Sequence, residues 1–141
     1  MVNAFEVNEE RIEKLKFDAN GLIPAVAQDV KSGDVVMLAY MNKESLTETI
    51  KTGYATYFSR SRQQLWKKGE TSGNVQRVRE ILYDCDGDAL LLKIDQTGAA
   101  CHTGEYSCFH NSLTGKDESA PASSHVLEEL FEVIEDRKAN P

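Results

Sequence analysis

All three cysteines of this chain lie within one short region, where they are interleaved with aspartates. The region contains two runs, Asp84-Cys85-Asp86-Gly87-Asp88 and Cys101-His102-Thr103-Gly104-Glu105-Tyr106-Ser107-Cys108. Thiolates select ions such as zinc, whereas clustered carboxylates select magnesium, calcium or manganese. These runs could therefore hold two kinds of metal ion side by side, an arrangement that indicates catalysis more than structural support.

Length and composition allow one domain with a single core. The chain has 141 residues, 40% of them hydrophobic, and a net charge of -7, which argues against non-specific nucleic-acid binding. No apolar run approaches the roughly 18 residues of a membrane span, and the charged segment Met1–Lys16 is unlike a secretory signal. We therefore expect a cytoplasmic protein without nucleic-acid or membrane partners, where a reducing environment fits an odd number of cysteines.

The hydrophobic pattern predicts both helices and strands. Helices are predicted over Asn8–Leu15 and from a capping Asn42 to Thr52, where Gly53 can end the second helix. Strands are predicted over Ile23–Val30, Asp34–Tyr40, Tyr54–Ser59, Val75–Tyr83 and Ala89–Asp95. The acidic run then lies at the turn between the last two strands.

That acidic run has two interpretations. Asp84, Asp86 and Asp88 can form a solvated hairpin turn, the usual role of such a run, but the cysteine in its middle favours metal binding. If the segment is extended, the three carboxylates project to one side and Cys85 to the other, because side chains alternate along a strand. The strand end could then serve a hard cation on one side and zinc on the other.

The thiol spacing favours an open zinc site. Cys101 and Cys108 are further apart than the cysteines of a zinc-finger knuckle, and the chain has no second pair. Three thiolates leave one zinc position for water, whose pKa falls to about 7. His102 is either a fourth ligand that closes the site or a general acid/base beside an open one. Its adjacency to Cys101 favours the acid/base role if the segment is extended.

The polar stretch from Ser59 to Asn74 concentrates cations, hydroxyls and glycines in an otherwise acidic chain and follows neither helix nor strand periodicity. Such residues are typical of a phosphate site, although a solvated basic loop is the alternative. Trp66 could stack on a nucleobase or pack in a core or interface. The candidate substrate-binding residues are Arg60, Arg62, Trp66, Lys67, Thr71, Ser72 and Asn74.

These runs closely resemble phosphoribosyl-AMP cyclohydrolase of histidine biosynthesis. The matching strings are Gly21–Asp29, Met37–Asn42, Tyr57–Arg62, Leu65–Asn74, Asp84–Asp88 and Cys101–Phe109. The resemblance implies a small single α+β domain over residues 1–112, with a mixed or antiparallel sheet and flanking helices, in an intertwined homodimer. It also implies one zinc ion per subunit, shared between Cys85 of one chain and Cys101 and Cys108 of its partner. It places magnesium on Asp84, Asp86 and Asp88.

The family hydrolyses the bond between N1 and C6 of the adenine ring in N1-(5-phosphoribosyl)-AMP. The resemblance therefore implies hydrolysis by zinc-activated water, with His102 moving protons and magnesium assisting substrate binding. A different class of function is a non-catalytic, zinc-dependent dimerisation or binding module. In that alternative, Cys85, Cys101, Cys108 and His102 close a structural site.

The end of the chain differs in composition from the rest. Residues 113–124 are rich in small and polar residues, which predicts a linker, and residues 125–141 carry an apolar stripe at helical spacing. This predicted helix resembles the opening helix of phosphoribosyl-ATP pyrophosphohydrolase, which many bacteria fuse after the cyclohydrolase. The helix either packs back on the domain or begins a second unit that this sequence does not complete, in which case the chain could be one domain of a bifunctional protein. We expect no pyrophosphohydrolase activity from these 141 residues.

Overall fold

The computed structural model of the protein describes residues 6–115. Its elements are α1 (Glu9–Ile12), β1 (Ile23–Asp29), β2 (Val35–Met41), α2 (Lys43–Thr52), β3 (Thr56–Ser59), β4 (Gln64–Lys67), β5 (Gln76–Tyr83) and β6 (Leu90–Gln96). These elements belong to a unit that ends at Cys108, and residues 109–115 are the described part of a second unit. Apart from positions 113–115, the predicted linker and C-terminal helix lie outside the described residues.

Four strands form one mixed sheet in the order β2-β1-β6-β5. The hairpins β1–β2 and β5–β6 are antiparallel, whereas β1 and β6 run parallel at the centre, with Ala25 opposite Leu90. Strands β3 and β4 form a separate antiparallel pair. The two helices complete a small α+β unit with a mixed sheet, which confirms this part of the prediction.

The core lies on one face of this sheet. Burial alternates residue by residue along both central strands, as expected when only one face is covered. Leu46 and Ile50, one turn apart on α2, pack with Tyr57 of β3 into the same buried cluster. The strands contribute Ile23, Ala25, Ala27, Leu90, Leu92 and Ile94. Burying each leucine or isoleucine contributes about 1.5–3 kcal/mol, so this cluster fixes α2 against the sheet.

Helix α2 begins and ends where the sequence predicts. Asn42 accepts a hydrogen bond from the Ser45 backbone N–H at 2.8 Å, and the Ser45 hydroxyl accepts one from the Asn42 N–H at 2.9 Å. Gly53 then adopts a φ of 84°, in the left-handed region that glycine enters without strain. Both predicted boundary residues are confirmed.

Helix α1 is shorter than predicted, because it ends at Ile12 and not at Leu15. Beyond the helix, the Lys16 backbone N–H donates to the Gly87 carbonyl at 2.7 Å. This bond takes the chain out of the helix and joins it to the acidic turn between β5 and β6. Among residues 6–115, no helix is both long and apolar enough to span a membrane.

Strand β4 was missed by the sequence prediction, which treated the whole segment from Arg60 to Asn74 as irregular. It pairs with β3 from Thr56 opposite Lys67 to Ser59 opposite Gln64. Three of its four side chains are exposed, and Trp66 is the partly buried one, 5.4 Å from the Tyr57 ring. A strand this short, with one inward side chain, has no detectable period of two.

Candidate active site

Backbone hydrogen bonds bring Cys101 and Cys108 together. The Ala100 N–H donates to the Tyr106 carbonyl at 3.0 Å, and the Cys101 N–H donates to the Glu105 carbonyl at 3.1 Å. These bonds close a loop, Cys101–Cys108, which we call the thiol loop. Burial raises the pKa of the Cys108 thiol, and interaction with the neighbouring Cys101 raises it further. The two thiols are therefore close enough to bind one soft metal ion.

Two contacts attach the thiol loop to the central sheet. The Cys108 N–H donates to the Val36 carbonyl of β2 at 2.7 Å. The Tyr106 hydroxyl donates to a carboxylate oxygen of Asp29, at the end of β1, at 2.5 Å. Asp29 is only 1% exposed, and burial together with this bond raises the pKa of Tyr106. Both strands of the hairpin β1–β2 thus help to position the loop, at the end where the turn joins them.

His102 lies on a turn within this loop. The Gly104 N–H donates to the Cys101 carbonyl at 3.0 Å, and Gly104 adopts a φ of 96°. The backbone here is not extended, so the adjacency argument against His102 as a fourth zinc ligand loses its premise. His102 is exposed, and its acid/base role stays a prediction.

A cleft of about 430 Å³ joins the thiol loop to the polar stretch after β3. Its volume falls within the roughly 300–1,000 Å³ that is typical of small-molecule sites. The predicted residues that line it are Arg62, Trp66, Lys67, Thr71, Ser72, Asn74, Cys101 and His102. The structure therefore brings most of the candidate substrate-binding residues to one surface with two of the candidate catalytic and metal-binding residues.

Arg60 does not line this cleft. Its guanidinium carbon lies 4.1 Å from the centroid of the Tyr40 ring, a distance typical of a cation–π contact. Arg60 is thus the one member of the predicted substrate-binding set that the structure places elsewhere.

Two glycines let the cleft wall approach Asn74. A Cβ atom on Gly69 would lie 2.3 Å from the Asn74 carbonyl carbon, and one on Gly98 would lie 2.4 Å from the Asn74 side-chain oxygen. Both glycines also have a φ near +70° or +80°, a region that other residues rarely adopt. Asn74 is therefore held between two backbone segments at the edge of the cleft.

Lys68 is a residue of this site that the sequence prediction missed. It lines the cleft, and its ammonium group donates to the carbonyl of Ala100, the residue before Cys101. Burial lowers the pKa of Lys68, while Cys108 and Cys101 act in the opposite direction. Neighbouring Lys67 has its ammonium 5.1 Å from the Tyr54 ring. Recognition of β4 would have indicated that Lys67 and Lys68, the residue directly after the strand, point in different directions.

The acidic run forms the turn between β5 and β6, as predicted, but it is not extended. Gly87 adopts a φ of 74°, and the Asp88 N–H donates to a carboxylate oxygen of Asp84 at 3.0 Å. The side-chain hydrogen bond with Asp84, and then the Asp84 charge, raise the pKa of Asp88. Desolvation would raise the pKa of Asp84, but hydrogen bonds, first those with Asp88, lower it overall. The condition under which the carboxylates and the thiol would lie on two faces of a strand is therefore not met.

Cys85 lies on this exposed turn, with its sulfur 3.7 Å from a carboxylate oxygen of Asp86. In the part of the chain that the structure describes, no three His, Cys, Asp or Glu side chains are grouped in a way that could hold a metal ion. The structure thus pairs Cys101 with Cys108 but does not add Cys85 to them.

Comparison with known proteins gives the family. The model of the phosphoribosyl-AMP cyclohydrolase family matches residues 37–110, more than half of the chain. Phosphoribosyl-AMP cyclohydrolase of Archaeoglobus fulgidus is 62% identical over 104 residues, which cover 74% of this chain and 96% of that protein. Phosphoribosyl-AMP cyclohydrolase of Rhodopseudomonas palustris is 49% identical over 137 residues, covering 96% of this chain and 86% of that protein.

A bifunctional relative is longer. Histidine biosynthesis bifunctional protein HisIE of Caldanaerobacter subterraneus is 52% identical over 130 residues, which cover 92% of this chain but only 62% of that protein. This chain therefore spans less than two thirds of that relative's length. The matches favour the catalytic hypothesis over the non-catalytic zinc module and confirm the resemblance: the chain belongs to the phosphoribosyl-AMP cyclohydrolase family of histidine-biosynthesis enzymes.

Proposed function

We propose that this protein hydrolyses the bond between N1 and C6 of the adenine ring in N1-(5-phosphoribosyl)-AMP and so opens the six-membered ring. The observation that carries the proposal is the shared cleft, which is lined by Cys101 and His102 on one side and by basic and hydroxyl residues on the other. A substrate with an electrophilic purine between phosphorylated sugars needs both kinds of surface. The relatives named phosphoribosyl-AMP cyclohydrolase support the same substrate.

The thiols fit a zinc ion. Cys101 and Cys108 are neighbours on a loop that backbone hydrogen bonds hold closed, and thiolates are the ligands that zinc prefers. Cys85 of the partner subunit would be the third ligand, because it lies on an exposed turn where a second copy of the chain can reach it. Zinc bound by three thiolates would keep one position for water and lower the pKa of that water to about 7.

His102 would move the protons that the reaction requires. It lies beside Cys101 and is exposed toward the cleft it lines, so a water molecule near the thiols is within reach of its ring. Hydrolysis needs a proton removed from the attacking water and a proton delivered to N1 as the C6–N1 bond breaks. One imidazole can do both in turn, because its ring nitrogens can both accept and donate a proton.

The polar wall of the cleft would bind the two phosphate groups and the sugars. Arg62 and Lys67 supply positive charge, and Thr71, Ser72 and Asn74 supply hydrogen-bond donors. Trp66 is partly buried against Tyr57 and presents its remaining surface to the cleft, where a base could stack on it. Arg60 has no part in this proposal, because it lies against Tyr40.

The acidic turn would hold magnesium. Asp84 and Asp88 share a hydrogen bond and Asp86 adds a third negative charge nearby, so the donor set suits a hard cation. Such a cation would reduce the mutual repulsion of the three carboxylates and orient a phosphate or ribose oxygen of the substrate. Because Cys85 sits within this turn, the homodimer that completes the zinc site would also bring the magnesium ligands close to the cleft.

The test is an ultraviolet assay of purine-ring opening with phosphoribosyl-AMP and the purified chain. We expect turnover that disappears after chelation and returns when zinc and magnesium are restored together. A folded dimer that contains zinc and shows no turnover would overturn the proposal. Activity that persists after zinc is removed would also contradict it.

A further inference from the structure

We infer that Lys68 is a positioning residue for the zinc-binding thiols. Its ammonium group holds the backbone that leads into Cys101 and supplies a positive charge beside Cys101 and Cys108. The inference deepens the proposed function and rests on it, because it requires that these two thiols bind zinc.

Lys68 is held by hydrogen bonds both at its backbone and at its ammonium group. The Lys68 backbone N–H donates to the carbonyl of Ala55, a fully buried residue, at 3.0 Å. The side chain then crosses to the thiol loop, where the ammonium donates to the carbonyl of Ala100, which is 1% exposed. Because its backbone and its ammonium group are both hydrogen-bonded, Lys68 connects the end of β4 to the residue that precedes the thiol loop.

Charge gives the ammonium a second role. Three thiolates around one zinc ion carry a net charge of minus one, which a partly buried site stabilises poorly. Lys68 is half-buried and interacts electrostatically with both Cys101 and Cys108. A positive charge at this position offsets that net negative charge and so strengthens metal retention, as partners of metal ligands commonly do.

Comparison with Lys67 distinguishes a role in zinc binding from a role in phosphate binding. Lys67 is exposed and its ammonium lies against the Tyr54 ring, so it is free of the thiol loop. Lys68 instead already uses one of its three donors on Ala100 and faces the thiols. Loss of Lys67 should therefore weaken substrate binding, whereas loss of Lys68 should weaken zinc binding in the absence of any substrate.

The experiment measures the zinc affinity of the purified 141-residue chain by competition with a chromophoric chelator, without substrate. We compare the parent with Lys68→Met, Lys68→Arg and Lys67→Met. We expect Lys68→Met to bind zinc about 10-fold or more weakly, in line with the 10–100-fold effects of similar changes elsewhere. Lys68→Arg keeps the charge and should recover most of the affinity, and Lys67→Met should match the parent. Cobalt substitution of each variant checks through its absorbance that the same thiolates bind.

The outcomes separate two kinds of failure. If the parent itself does not bind zinc, the proposed function fails together with the inference. If the parent binds zinc and Lys68→Met binds it equally well, only the inference fails. Equal losses in Lys68→Met and Lys67→Met would mean a general charge effect and would also overturn it. If Lys68→Met is unfolded in thermal denaturation, Lys68→Arg decides, because a tenfold loss in that variant contradicts the role of charge.

Discussion

The thiol loop and the acidic turn carry the candidate metal ligands, and they differ in how their ligands are buried and attached. In the thiol loop, Cys101 is buried, and its backbone N–H donates to Glu105 within the loop. Hydrogen bonds to Val36 and Asp29 attach the loop to the central sheet. In the acidic turn, Cys85 and all three aspartates are exposed. The backbone of that turn is anchored at Gly87, through the bond from Lys16.

The comparison teaches where the site is already formed and where it is not. A loop with one buried thiol and hydrogen bonds to the central sheet keeps its ligands in place without a metal ion, whereas exposed carboxylates must be drawn together by one. We therefore expect the thiol pair to behave as a preformed half of the zinc site. The acidic turn should behave as a surface that is completed by metal ions and by a second subunit.

Replacement of a thiol should have the largest effect. Cys108→Ser removes one member of the preformed pair, and Cys85→Ser removes the ligand from the exposed turn. Because a metal ion contributes several kcal/mol to catalysis, each change should lower turnover more than about a thousandfold. Turnover and zinc content per chain, measured together, test this. Full activity in Cys85→Ser would show that the acidic turn takes no part in the zinc site.

His102→Gln should have the next largest effect. Loss of a general acid/base lowers turnover by about 10²–10⁴-fold, whereas the exposed position of His102 leaves folding unchanged. Zinc content should remain at the level of the parent. If the variant loses zinc along with activity, His102 is a zinc ligand, and the acid/base role is contradicted.

Tyr106→Phe tests how firmly the thiol loop is attached. The change removes a donor from buried Asp29, and loss of a hydrogen bond to a charged group costs about 1.5–3 kcal/mol of unfolding free energy. Tyr83→Phe is the matched control, because Tyr83, on the strand before the acidic turn, is 38% exposed, as Tyr106 is. This surface change should alter the free energy of unfolding by no more than about 0.5 kcal/mol. Urea unfolding in excess chelator measures both. Equal stabilities would show that the loop does not depend on Asp29.

The smallest effect concerns the pH dependence of the acidic turn. The pKa of Asp88 is raised, chiefly by its hydrogen bond with Asp84, and that of Asp84 is lowered. As the pH falls, Asp88 should therefore take up its proton first. The stabilising contribution of Asp84 is present above its unfolded pKa and disappears as the pH falls through its lowered folded value. The contribution of Asp88 is present at low pH and disappears as the pH rises through its raised value.

Carboxyl NMR titration without metal ions measures both residues. Asp84→Asn should move the pKa of Asp88 downward, because it removes the neighbouring negative charge. Identical titration midpoints for Asp84 and Asp88 in the parent would contradict the contact between them.

Prediction from sequence succeeded where local signals were strong. The bounds of β1, β2 and α2 were predicted to within one residue, since apolar runs bounded by turn residues mark the strands and Asn42 and Gly53 mark the helix ends. Strand β4 was missed because its pairing with β3 is a tertiary contact that leaves three of its four side chains exposed.

The site was predictable in its residue types but not in its geometry. The strings of the family contain both lysines, yet only the structure shows Lys68 bonded to Ala100 and Arg60 stacked on Tyr40. These contacts depend on where loops cross in space, which no local pattern encodes. The same reason explains why the extended conformation assumed for the acidic run and for Cys101–His102 was not found.

The central claim is that one zinc site needs thiols from two subunits, and mixing two inactive variants tests it most directly. Cys85→Ser and Cys101→Ser are mixed under conditions of subunit exchange, which a mass label on one variant verifies. Half of the dimers are then hybrids, and each hybrid has one intact site, so about a quarter of the parent activity should appear. An exchanged mixture that stays inactive would contradict a site shared between subunits.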